Sequence, residues 1–258
     1  MSTLGKARTA LALGISNLVR VATYRLGVRA GLNPVRRLAG GVVQGPFFQP
    51  VARETFDLPV LPQWQQTALL FSYWPFTVAA SAPNWHINPL NGAQIAEPQR
   101  NWWQIPDFDP AVGDIKSIWE ASRFDWVLAF AQRASTGDIA SLDRLNAWLA
   151  DWCVQNPPYK GPNWKCGQEA SIRVMHLAMA ALLLGQVSST TPALLELVRL
   201  HLQRIAPTLR YAIAQDNNHG TSEAAALFIG GSWLVAHGVR EGERWQRLGC
   251  KWLENRAA

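Results

Sequence analysis

The chain has 258 residues, 48% of them hydrophobic and 16% charged, which is enough apolar material to bury a core and excludes an intrinsically disordered chain. Eight of its 24 Lys and Arg lie in residues 1–53, and the first acidic residue is Glu54. Taking those eight away leaves 16 basic against 18 acidic residues for the rest, so no basic face for nucleic acid is expected on the body.

Residues 1–46 read as a basic N-terminal arm. One or two amphipathic helices are expected over residues 1–32, before Gly31, Pro34, Gly40, Gly41, Gly45 and Pro46 break the pattern. The apolar run Ala10–Leu18 is too short to cross a bilayer and lacks a clear cleavage site, while the arm's charge leaves contact with a membrane surface open. Residues 47–114 are rich in Pro, Asn and Trp, with short strands or extended loops expected near Ala68–Tyr73 and Trp85–Asn88. Irregular stretches of that length are usually packed around a site.

From residue 115 apolar residues recur at helical spacing. Six helices are predicted: Ile115–Ala134, Asp138–Val154, Gly167–Leu184, Pro192–Ala214 with Pro207 bending or interrupting it, His219–Gly238 and Glu241–Asn255. Short connections make antiparallel helical hairpins, so the body is all-α. Periodicity alone leaves a bundle, a solenoid and a ring open. Cys153, Cys166 and Cys250 cannot all pair and show no metal-ligand spacing, so neither a structural metal nor a disulfide framework is expected.

The most informative segment runs from Gln215 to Glu223. Asn217 and Asn218 can cap the helix that follows, and a helix N-terminus favours an anion. His219 and Glu223 are four apart, so the carboxylate can orient the imidazole; for an arbitrary sequence such a segment is more often simply a polar turn and cap. Trp119, Glu120 and Arg123 form either a surface ion pair or a cleft rim. Asn163 and Trp164 sit on a Pro/Gly loop, with Glu169 and Arg173 at ion-pair spacing beyond it. Trp164 there serves loop packing or sugar stacking, and thirteen tryptophans in the chain raise both readings.

Five segments occur in one order: Trp85-His86-Ile87-Asn88-Pro89-Leu90-Asn91-Gly92, Trp103-Gln104-Ile105-Pro106, Asp114-Ile115-Lys116 to Phe124, Asn163-Trp164 with Glu169 and Arg173, and Asn217-Asn218-His219. Together, over about residues 64–255, they resemble the N-terminal catalytic region of the heparinase II/III-like polysaccharide lyases, which include heparan-sulfate and alginate lyases. The resemblance implies an incomplete α/α toroid over residues 47–258 whose cleft binds an acidic, uronate-containing polysaccharide, followed in full-length members by a β-sandwich. Such enzymes work without a cofactor by β-elimination. Asn218 would neutralise the uronate carboxylate and His219 would assist it or act as base. Asn217, Glu223, Trp119, Glu120, Arg123, Asn163, Trp164, Glu169 and Arg173 would bind substrate.

A tyrosine commonly completes the family's set at a position beyond Asn218, yet of Tyr24, Tyr73, Tyr159 and Tyr211 none follows His219. The chain therefore reads as a truncated lyase domain of little or no activity. The alternative is a non-catalytic carbohydrate-binding or scaffold protein. A glycosidase would need two acids flanking the bond, and Asp216 and Glu223 diverge across a helix start. The charge balance after residue 53 favours a less charged polymer such as alginate over a sulfated one. The resemblance implies a periplasmic location, with the cytoplasm as the alternative.

Overall fold

The computed structural model describes residues 14–50, 67–77 and 81–257. Helix α1 (Ile15–Arg29) lies within the basic arm and buries no residue completely. Arg36 Nη1 closes its C-terminal end by donating to the carbonyls of Val28 at 3.0 Å and Arg29 at 3.3 Å. Two small antiparallel hairpins follow. In the first, β1 (Thr67–Leu70) pairs with β2 (Trp74–Thr77) in the register Thr67↔Thr77; in the second, β3 (Phe108–Asp109) pairs with β4 (Gly113–Asp114). Of the two forms expected at Trp85–Asn88, strand or extended loop, the chain takes the loop, carrying the isolated bridge Ile87↔Gln94. There Asn88 and Asn91 fold back on backbone N–H groups of the loop, as Asn side chains do in turns.

The helix expected over Ile115–Ala134 is broken in the middle. A short α2 (Lys116–Trp119) runs into a 3-10 turn (Glu120–Arg123), and Phe124 takes a left-handed conformation, φ 69°, before α3 (Asp125–Ser135) starts. That conformation is costly for a bulky residue, and burial offsets the cost. The Phe124 ring is fully enclosed and meets Trp126 and Trp152 edge-on at 5.3 and 4.9 Å.

The remaining helices follow their caps closely. Asp138 accepts from Ser141 N at 3.1 Å and opens α4 (Ile139–Gln155), and α5 covers Gly167–Leu183. Thr191 caps α6 (Pro192–Ile205), accepting from Leu194 N at 3.2 Å. Pro207 converts the next turn to 3-10 geometry (Ala206–Thr208), separating α6 from α7 (Leu209–Ala214). Last come α8 (Asn218–Ala236) and α9 (Glu241–Ala257). These two approach so closely that a Cβ on Gly231 would lie 2.5 Å from Gln246 N, and one on Gly249 2.4 Å from Phe228 N. The described body is all-α apart from its two hairpins. No helix among the described residues is long and apolar enough to cross a membrane.

Tryptophan fills the core. Trp85, Trp126, Trp148, Trp152 and Trp164 are all at most 1% exposed, and an indole buries roughly 150–250 Å², about 4–6 kcal/mol each by area and an upper bound. Among these rings lies a fully buried cation, Arg173. It donates to His201 Nε2 at 2.8 Å, Asn163 O at 2.7 Å and Ser122 O at 3.4 Å. Its guanidinium sits over the Trp152, Trp164 and Phe124 rings at 5.1, 5.6 and 5.9 Å. Burial pushes Arg173 down to about 10, so it stays charged at neutral pH. Burial, then Arg173 itself, holds His201 well below the usual histidine range. His201 is therefore neutral, with Nε2 accepting from Arg173 and Nδ1 donating to Leu197 O at 2.7 Å.

Candidate functional site

A cleft of about 420 Å³ opens beside the start of α8. Its floor is polar: Glu223, 3% exposed, carries one carboxylate oxygen, Oε2, with no hydrogen-bond partner among the described residues. The other, Oε1, lies 3.7 Å from His219 Nδ1, an ion-pair rather than a hydrogen-bond distance. Gly167 at the first turn of α5 makes room for this carboxylate, since a Cβ there would come within 2.7 Å of it.

The second neighbour of His219 is Cys166, the N-cap residue of α5, a free and partly exposed thiol. Hydrogen bonding to the Cys166 side chain, and after it the Glu223 carboxylate, raises His219 to about 9. Burial raises Glu223 from its ordinary value, against the opposing pull of His219 and Arg204. Arg204 is itself 1% exposed and held by the carbonyls of Trp164 at 2.7 Å and Lys165 at 2.5 Å. Its guanidinium covers the Trp102 ring at 4.3 Å.

Helix α1 forms one wall. Tyr24 stacks on Tyr211 of α7 with ring centroids 4.0 Å apart and planes at 17°, and both rings line the cleft. Burial raises the Tyr24 phenol from its ordinary value, with Arg204 opposing. Arg25 and Arg29 line the cleft as well, and neither makes an ion pair among the described residues. Lys165 is tied to Asp107 at 3.1 Å and to Ile105 O at 2.6 Å. The arm's positive charge, separate from the body in sequence, therefore faces the same space as His219.

Of the residues expected at the site, the catalytic candidate His219 and the substrate-binding candidates Trp119 and Glu223 line this cleft. Trp119 is fixed by donating Nε1–H to Pro162 O at 2.9 Å. Asn217 accepts from His219 N at 3.0 Å, the cap expected of it, and Asn218 is exposed at the first turn of α8. Neither asparagine is part of the cleft lining.

The remaining expected residues have structural partners elsewhere. Glu169 does not pair with Arg173: it takes a bidentate pair from Arg123, Nε at 2.8 Å and Nη2 at 2.9 Å. Arg123 also holds Glu120, whose Oε2 accepts from Phe71 N at 2.7 Å. This network binds the β1–β2 turn to the 3-10 turn and α5. Asn163, fully buried, donates to Trp85 O at 3.0 Å and Asn156 Oδ1 at 2.8 Å. Trp164 is 1% exposed and donates to Asn156 O at 2.9 Å, so it offers no face to a sugar. The accessible indole in the cleft is the half-buried Trp103, which carries Arg36 over its ring at 4.8 Å.

Sequence reasoning missed Tyr24, Arg25, Arg29, Cys166, Trp103 and Tyr211 as cleft residues. Helical spacing places Tyr24 and Val28 on one face of α1, yet nothing in the sequence names the surface that receives them. Among the described residues no group of three or more His, Cys, Asp or Glu side chains is arranged to hold a metal ion. No known family, curated protein or solved structure matches the chain.

Proposed function

We propose that this chain is a polysaccharide lyase-type domain, an incomplete α/α toroid that binds a uronate-containing polysaccharide in the cleft and acts on it by β-elimination. The observation that supports the reading is that the His219–Glu223 pair shares one cleft with Tyr24 and the α1 arginines. Arg25 and Arg29 neutralise the uronate carboxylate, which makes the C5 proton more acidic. Neutral His219 takes that proton, the C4–O4 bond breaks as the C4=C5 double bond forms, and Tyr24 gives its phenolic proton to the departing O4. Glu223, buried beneath His219, acts as a positioning residue. Asn218 moves from the centre of the reaction to the rim.

A base near pKa 9 is strong, but roughly 1% of it is neutral at pH 7. That favours a second reading at neutral pH, in which the imidazolium and the α1 arginines hold a polyuronate without cleaving it. The arginines remove one argument for a weakly charged polymer, so alginate, heparan sulfate and hyaluronan all belong in the test. The rate of ultraviolet absorbance gain from the new double bond, followed from pH 6 to 10, should rise throughout and reach about half its maximum near pH 9. His219→Ala and Tyr24→Phe should each lower turnover by about a hundredfold or more while binding persists. Binding without any absorbance change would establish the second reading, and failure to bind all three polymers would overturn both.

A further inference from the structure

We propose that the outward face of α1 docks this protein on an anionic lipid surface. At 100° per residue, Ile15, Val19, Ala22 and Leu26 form one stripe within about 60° of arc. All four are exposed, Ile15 at 81%, Val19 at 58% and Leu26 at 64%. The stripe is not the frayed side of a loose helix. The opposite face, with Asn17, Val21, Tyr24 and Val28 partly buried, is seated on the body through the Tyr24–Tyr211 stack. Leu32, 72% exposed, continues the apolar surface beyond the helix end.

The charges around the stripe select the partner. Arg25 and Arg29 flank it on one side, Arg20 lies about 100° further round on the other, Arg36 and Arg37 follow, and no acidic residue precedes Glu54. An apolar ridge bordered by arginines, without a carboxylate, fits a layer whose outer plane is negative and whose interior is apolar. A second copy of the chain would bring an equally basic face against it and be repelled. Arg25 and Arg29 stand at the edge that the stripe shares with the cleft, so lipid headgroups and a cleft anion would draw on the same two guanidinium groups.

The test is flotation of the full chain with phosphatidylcholine vesicles, with and without about a third of phosphatidylglycerol. Three arginines at the surface should give roughly a hundredfold preference for the anionic vesicles, weakening as salt is added. Val19→Glu combined with Leu26→Glu, both outside the cleft, should reduce binding at least about tenfold with the circular dichroism spectrum and melting temperature kept. Arg20→Glu provides a charge-only variant should the double variant fold poorly. Equal partition onto both vesicle types overturns the proposal. So does wild-type binding by the two variants, or a concentration-dependent dimer that Val19→Glu with Leu26→Glu dissolves.

Discussion

Replacing Cys166 with Ala probes the arrangement at the cleft floor most directly. His219 holds its proton to about pH 9 chiefly because the Cys166 side chain hydrogen-bonds to it, with Glu223 second, whereas a histidine without such partners titrates near 6.5. That elevation corresponds to a few kcal/mol at most. With 25% of the His219 side chain exposed, solvent screening reduces this to roughly 1–2 kcal/mol. Because the folded pKa is the raised one, this stabilisation is complete below about pH 6.5 and is lost as pH rises through about 9. Cys166→Ala should lower the His219 titration by about one unit or more and flatten the decline in stability across that window. Nuclear magnetic resonance titration of the His219 ring and denaturant unfolding at the two ends of the window measure both. A wild-type His219 titrating near 6.5, or a Cys166→Ala chain still titrating near 9, refutes the reasoning.

Arg173→Met should destabilise the protein by roughly 3–5 kcal/mol in urea unfolding, because it leaves His201 Nε2 and Asn163 O buried without their donor. Trp164→Ala should cost about 3–5 kcal/mol through the cavity it opens, whereas Trp103→Ala should leave the melting temperature nearly unchanged and weaken polysaccharide binding several-fold in calorimetry. Tyr24→Ala should remove about 0.5–1.5 kcal/mol of ring stacking and speed limited proteolysis of α1 relative to the body.

The helices from α4 onward were legible because their apolar period is long and their ends carry Asp138, Thr191, Pro192 and Asn217 as caps. Their positions in chain order follow from local chemistry. The break at Phe124 was not legible, since a left-handed phenylalanine is bought only by rings that arrive from α4 and elsewhere in the core. Ion-pair spacing correctly joined His219 to Glu223. It failed for Glu169 and Arg173, because Arg123, 46 positions earlier, reaches Glu169 with better geometry and Arg173 turns into the aromatic core. Trp164 read as a loop residue for either packing or sugar stacking, and the choice of packing depends on the path of Trp85 and Asn156 around it. The arm was read by its charge, which says nothing of the surface it lies on.

Tyr24 and Tyr211 stand 187 positions apart in the chain, and this bears on how the molecule is made. Helix α1 leaves the ribosome early, but its docking surface exists only once α7 has been synthesised, about 10–40 s later at 5–20 residues per second. Throughout that interval both of its apolar faces are uncovered. The cleft wall therefore cannot form before α7 is made, whereas the tryptophans of the core lie largely between residues 85 and 164 and are synthesised earlier. A bulky fusion placed at the start of the chain would act on that final docking step and leave the core untouched.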